Sequence, residues 1–264
     1  MLNDILAHYR DTDEAERLLR GSGELERVRT QELIRRYLEP APARVFDVGG
    51  GPGVYAEWLV GLGYDVDLID PVPRHVEQAR ARIASKNGAR GRVHLGDARS
   101  LDFPDACADG VLFLGPLYHL VRREDRIRAL AEAWRLLRPG GFAFVAGISR
   151  FASLLDGFSR GFVTDPVFVE IMEQDVADGQ HRNRPNRPSY FTTSYFHHPS
   201  ELREEIDEAG FTVEKLAAIE GPFWCLSGFD EIWSQAPTRT LMLDLLRRLD
   251  EEESLMGASA HLLA

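Results

Sequence analysis

The run Asp47-Val48-Gly49-Gly50-Gly51-Pro52-Gly53 limits this chain more than any other stretch of its 264 residues. An apolar run from Arg44 to Val48 leads into it, and the helical pattern Val54, Trp58, Leu62 follows, so the order reads strand, glycine turn, helix. Glycine tolerates backbone conformations that a Cβ forbids, which permits a tight turn and brings main chain close to a ligand. A dinucleotide fingerprint G-x-G-x-x-G begun at Gly49 needs a glycine at position 54, where Val54 stands. A pyrophosphate wants helix N-terminal amides aimed at its charge. Asp47 inside the run suits instead a ligand without phosphate that carries positive charge.

Short apolar runs alternate with helical patterns on both sides of this turn. Arg44 to Val48, Asp65 to Ile69, Arg92 to Leu95, Gly110 to Leu114 and Phe142 to Gly147 read as buried parallel strands. Ile127, Leu130, Ala131, Trp134 and Leu137 form the stripe of a crossover helix that Pro139-Gly140-Gly141 ends. The alternation predicts an α/β fold, a Rossmann-like doubly wound, mostly parallel sheet with helices on both faces and an inserted α-rich cap. Residues 1–40 read as an N-terminal helical lid, with a helix from Glu24 to Leu38, and 41–150 as the cofactor-binding core. Residues 151–195 break the alternation and read as an inserted substrate cap; 196–264 complete the core. There Ser200 is expected to cap a helix, Thr212 to Ile219 to form a strand, Leu241, Leu245, Leu246 and Leu249 to mark a last helix, and Ser259 to Ala264 a last strand cut short.

Sheets of this kind bind ligands at the carboxyl ends of their strands. The second strand ends at Asp70, about 20 residues beyond the turn, where nucleoside-binding folds place a ribose-binding acid. The third ends in Gly96-Asp97-Ala98. Asp47, Asp70 and Asp97 thus stand at three neighbouring strand ends; taken singly, Asp70 also fits a turn before Pro71, and Asp47 a solvated loop.

Composition narrows the partners. A net charge of -11 repels a phosphate backbone, so nucleic acid is not expected. Cys107 and Cys225 are too few for a disulfide framework and lie in no metal spacing, and adjacent His197 and His198 point to opposite faces of an extended segment, so no metal is expected. No signal-like start and no apolar run of roughly 18 residues occurs, which predicts a cytoplasmic protein without membrane attachment. Monomer and homodimer stay equally open.

The segments Val45 to Gly53, Leu68-Ile69-Asp70, Gly96-Asp97-Ala98, Leu114-Gly115-Pro116-Leu117-Tyr118-His119-Leu120 and Leu137-Arg138-Pro139-Gly140-Gly141 together resemble a class I S-adenosylmethionine-dependent methyltransferase of the bacterial small-molecule type. The resemblance implies S-adenosyl-L-methionine as cofactor and S-adenosyl-L-homocysteine as product. By it Asp47, Gly49, Gly50, Gly51 and Gly53 pack on the methionine and ribose portions, Asp70 holds the ribose hydroxyls, Asp97 meets the adenine amino group, Pro71, Val72 and Ala98 flank the ring, and Gly115 faces the methionine amine. Apart from the resemblance, Tyr9 and Arg17 of the N-terminal segment are candidates to close over the cofactor, and amphipathic packing accounts for Tyr9 equally well.

Methyl transfer needs an aligned acceptor and excluded water, with a base only where the acceptor carries a proton. His119 is a candidate base or orienting group, or a helix-start histidine bonded to backbone; Tyr118 is a candidate for shaping the methyl pocket. His181, Tyr195, His197, Phe158 and Trp224 are candidates for acceptor binding, because residues 151–233 hold about half of the chain's aromatics. Such residues also make an ordinary core for the cap. The expected activity is methyl transfer to an O, N, S or C atom of a small, partly apolar or aromatic metabolite. An NAD(P)-dependent oxidoreductase, a cofactor-binding protein without turnover, or a rearrangement catalyst on the same fold are the alternatives.

Overall fold

Five parallel strands pair side by side in the order β3-β2-β1-β4-β5: β1 Arg44–Val48, β2 Asp65–Asp70, β3 Gly91–Leu95, β4 Ala108–Phe113 and β5 Leu137–Ser149. The computed structural model describes residues 14–86, 90–184 and 187–264; Tyr9, a candidate to close over the cofactor, lies outside them. On β1, Val45 faces one core and Phe46 the other, as a strand's period of two requires. Helices α1 (Ser22–Tyr37), α2 (Val54–Gly61) and α3 (Pro73–Ala84) cover the first face. Helices α4 (Arg123–Leu136) and α7 (Pro199–Glu208) cover the second. The fold is Rossmann-like, with the strand order reversing between β1 and β4.

Beyond β5, two elements share its edges. Strand β9 (His261–Leu263) lies antiparallel to β5, and its other edge pairs with the short β8 (Ala217–Ala218). The last strand is therefore hydrogen-bonded on both sides, and Ala264 exchanges backbone bonds of 2.8 and 2.9 Å with Val145. Strand β7 (Ser194–His197) runs parallel to the end of β5, past the point where β4 stops. Between β5 and β7 come α5 (Ala152–Arg160), α6 (Pro166–Asp178) and the two-residue β6 (Gln180–His181), with Phe168, Ile171 and Tyr190 as their own small core. Helices α8 (Phe229–Ser234) and α9 (Ala236–Leu249) pack on Leu25 of α1.

Four local expectations need correction. Helix α7 begins at Pro199, so Ser200 lies inside its first turn; the His198 amide donates to Glu201 Oε2 at 2.9 Å, closing the helix start from within. Of 212–219 only Ala217–Ala218 is strand, because the three-residue β9 offers no longer partner. On α9 the buried positions are Met242 and Leu246, while Leu241 and Leu245 are exposed. On α4 the buried face is Arg126, Ala129, Leu130, Ala133 and Leu136, and Trp134 is half exposed. Of the expected stripe Leu130 is buried, Ile127 and Leu137 are half-buried, and Ala131 and Trp134 are exposed, since the buried face starts from Arg126.

That arginine is 2% exposed and bonds Glu205 on α7 through two nitrogens at 2.6 and 2.8 Å. Its third nitrogen donates to the carbonyls of Leu120 and Val121, and its guanidinium lies 3.7 Å from the Tyr195 ring centroid. Burial alone would raise the Glu205 pKa, but Arg126 and His197 outweigh it and hold the group at about 2. Its stabilising contribution is therefore present above about pH 4 and lost as pH falls toward 2. Glu205→Ala strands a buried guanidinium and is expected to cost about 3–5 kcal/mol near neutral pH, read as a lower urea midpoint.

Candidate active site

The glycine turn leaves β1 at the strand-order reversal, where the connections from β1 and β4 run to opposite faces and open a cleft. Gly49, Gly51 and Gly53 have φ of 70°, 55° and 86°, and a Cβ on Gly49 would stand 2.7 Å from the Pro116 ring. Gly115, after β4, approaches so closely that its Cβ would sit 2.9 Å from the Gly49 carbonyl oxygen. Neither position accepts a side chain without moving the other loop. Val54 is buried as the first residue of α2.

Asp70 secures the turn. Its Oδ2 accepts from the Gly51 amide at 2.9 Å, and its Oδ1 accepts from the Val72 amide at 2.9 Å and faces His75 Nδ1 at 3.2 Å. Asp47 sits beneath the same turn at 1% exposure, and its Oδ2 has no hydrogen-bond partner among the described residues. Burial, with the Asp70 carboxylate nearby, pushes the Asp47 carboxyl up to about 7. Asp97 is half open to solvent; Arg99 grips it through its backbone amide and guanidinium at 2.6–2.9 Å and lowers its pKa.

The cleft brings together most of the residues expected to meet a cofactor: Asp47, Gly49, Gly50, Gly51, Asp70, Pro71, Val72, Asp97, Ala98, Gly115 and Arg17 line it, with Tyr118 and His119. Gly53 stands just behind, where a Cβ would press Ala79 at 3.0 Å. A second cavity of about 680 Å³ opens under the cap. Phe168, Tyr190, Phe191, Phe196 and Trp224 are among its walls, and Trp224 is held by an indole bond to the Ala258 carbonyl at 2.9 Å. Arg17, Glu26, Tyr118 and His261 line both spaces, so the cleft and the cavity meet there. His119 lines the cleft alone.

The candidate acceptor residues separate. His181 borders the cavity but is 2% exposed, and its two ring nitrogens face Asp175 Oδ2 at 2.7 Å and the Tyr190 carbonyl at 2.6 Å, which ties β6 to the cap. Tyr195 and His197 lie away from both spaces, inside the Arg126–Glu205 cluster, where His197 is fully buried with Nε2 3.3 Å from Glu205. Phe158 is 66% exposed and lines neither space. Only Trp224 presents its ring to the cavity without such a tether at both ends.

Sequence reading missed Glu26, Glu220 and His261. Glu220 follows β8, which runs parallel to β5, so it is one more acid at a carboxyl edge and the rule that selected Asp70 also finds it. His261 opens an antiparallel strand, whose amino end reaches that same edge. Among the described residues these three form the one His-containing cluster with metal-like closeness, their ligand atoms lying within 4.8 Å of one another.

The raised Asp47 pKa has a measurable sign. The unfolded carboxyl ionises near pH 4 and the folded one near 7, so the native state keeps a proton that the unfolded chain has released. Its stabilisation is complete below about pH 4 and disappears as pH rises to about 7. Asp47→Asn lacks this dependence. Its unfolding free energy in urea should gain on the native protein by at most about 1.4 kcal/mol per pH unit across that window, then level off.

A family model described as a methyltransferase domain matches residues 45–141. An uncharacterized methyltransferase of Mycobacterium tuberculosis is 35% identical over 221 residues, which cover 83% of this chain and 77% of that one. A ubiquinone biosynthesis O-methyltransferase of Methylocella silvestris is 35% identical over 125 residues, so the match spans 46% of this chain and about half, 47%, of that relative. The crystal structure of a SAM-dependent methyltransferase from Methanosarcina mazei shares the fold, with a TM-score of 0.58 at 18% identity over 70% of this chain and 86% of that one. By its relatives and its sheet, the chain belongs to the class I S-adenosylmethionine-dependent methyltransferases.

Proposed function

We propose that the enzyme methylates a hydroxyl of a small aromatic metabolite held under the cap. The observation that carries this reading is the shared wall: an aromatic-lined cavity of about 680 Å³ meets the cofactor cleft at Arg17, Glu26, Tyr118 and His261. A pocket of this size and lining suits a ring-sized molecule with few polar groups. The O-methyltransferase name of the Methylocella relative supports a hydroxyl as acceptor.

The cleft fits S-adenosylmethionine on its own chemistry. Asp47 Oδ2 is buried without a partner among the described residues, and a Cβ on Gly50 would come within 2.6 Å of it, so the turn admits only bare backbone over a carboxylate. Asp47, Asp70 and Asp97 on one cleft match a ligand rich in hydroxyls and positive charge. When bound, the cofactor supplies a methyl group on a sulfonium, whose charge vanishes on transfer. Asp70 would hold the ribose hydroxyls with lone pairs left over from the Gly51 and Val72 amides. Asp97 would accept from the adenine amino group, with Pro71, Val72 and Ala98 against the ring. Asp47 and the Gly115 backbone would face the methionine ammonium, while Arg17, paired to Glu26 at 2.5 and 3.1 Å, closes the lid side. Tyr118, on the shared wall, would orient the acceptor ring; alignment of this kind contributes roughly 7–11 kcal/mol to a displacement.

Calorimetric titration with S-adenosylmethionine and S-adenosylhomocysteine should show both binding, and Asp70→Ala should weaken each at least tenfold. Unchanged affinity would remove Asp70 from the site. With a panel of catechols, alkylphenols and hydroxybenzoates, S-adenosylhomocysteine should form together with a methyl ether. Product on amines or thiols only would overturn the hydroxyl assignment, and a bound cofactor that is never consumed would overturn methyl transfer itself.

A further inference from the structure

The shared wall carries a histidine that no comparison assigns. His261 Nδ1 faces Glu220 Oε1 at 2.6 Å, while Glu220 Oε2 accepts from the Ser259 hydroxyl at 2.8 Å and from the His261 amide at 3.0 Å. Glu220 is 2% exposed and fully engaged, so it fixes the imidazole plane and its tautomer. With Nδ1 committed, Nε2 is the nitrogen left for a ligand, on a residue that lines both the cofactor cleft and the cap cavity. A base for methyl transfer must touch the acceptor at its boundary with the methyl donor, and among the described residues Arg17, Glu26, Tyr118 and His261 line both spaces. Of the four, Arg17 and Glu26 are paired with each other and Tyr118 is a phenol.

We propose that His261 is the general base of methyl transfer and that Glu220 is its positioning residue; this deepens the hydroxyl-acceptor reading and rests on it. The acceptor O–H bond breaks with its proton passing to His261 Nε2. The oxygen electron pair forms the new O–CH3 bond as the S–CH3 bond breaks, and that bond's pair stays on sulfur as the neutral thioether. The imidazolium then releases its proton to solvent after the product leaves.

The surroundings make this histidine a strong base. The charged and titratable groups around it are Glu26 and Arg17 from the N-terminal segment, Glu220 beyond β8, and Tyr55 and Tyr118 lining the adjoining cleft. Burial would lower the ring's pKa, but Glu26 and Glu220 outweigh it and raise it to about 9, close to that of a phenol near 10. A base acts best when its pKa lies near the working pH, so the rate is expected to rise as pH approaches 9. The ring gives up its resting proton more readily once a sulfonium cation lies in the adjoining cleft. A metal ion in the Glu26–Glu220–His261 cluster is the rival assignment, and the Arg17 guanidinium on Glu26 opposes a second cation there.

The test uses His261→Gln and Glu220→Gln, with the urea unfolding midpoint and circular dichroism as the control for folding. His261→Gln should methylate an alkylphenol about 10²–10⁴-fold more slowly than the native enzyme, yet a nitrophenol already ionised at the assay pH less than about tenfold more slowly. Equal losses on both acceptors, or none on either, overturn the base role while leaving methyl transfer standing. Glu220→Gln should shift the rising limb of the pH–rate profile to lower pH; loss of rate without that shift reduces Glu220 to a structural part. An independent NMR titration of the His261 ring should show a midpoint well above that of an ordinary histidine, lowered in Glu220→Gln and lowered by S-adenosylmethionine more than by S-adenosylhomocysteine. A midpoint indifferent to both overturns the proposal even if no phenol is turned over, the outcome that would also defeat the hydroxyl reading. Activity abolished by EDTA and restored by magnesium or zinc assigns the cluster to a metal instead.

Discussion

One carboxylate ties the turn after β1 to the loop after β2. Asp70 ends β2, yet it receives the Gly51 amide of the β1 turn as well as the Val72 amide of its own loop. Each amide would cost about 1–3 kcal/mol if left buried and unpaired. The bond from Gly51 holds the turn open-faced toward the cleft, and that position lets Gly115 and Pro116 close on it from β4. The same carboxylate sits near Asp47 and helps to raise its pKa. Asp47 and Asp70 therefore stand as two neighbouring carboxyls, one of them holding its proton to about pH 7, so the architecture of the turn and the electrostatics beneath it come from one side chain.

The parallel core, its strand ends and the acids on them were legible because period-two apolar runs and glycine turns are local signals. Val54 in place of a glycine separated two nucleoside-binding families at one position. Packing that depends on distant partners was not legible. Arg126 counts as polar in any local pattern, but Glu205, 79 positions away, makes it the buried end of α4. His181, His197 and Tyr195 looked like acceptor ligands by residue type, and the structure instead binds them to Asp175, Glu205 and Arg126. Only tertiary geometry tells a tethered histidine from one facing a cavity.

Two spaces sharing a narrow wall make Arg17 and Glu26 joint components of both. Arg17 and Glu26 flank the start of α1, and their ion pair borders the cleft on one side and the cap cavity on the other. A change at either residue therefore reaches both spaces, and under the proposed function the binding constants of cofactor and acceptor need not be independent.

The direction of β9 has a practical consequence. Because the strand runs against β5, its first residue reaches the functional edge while Ala264 pairs with Val145, farther down the sheet. Ala264 lines neither the cleft nor the cap cavity, so a segment joined after it starts outside both. Trimming the chain back by four residues would remove β9, unpair an inner edge of the sheet and take His261 away in a single cut.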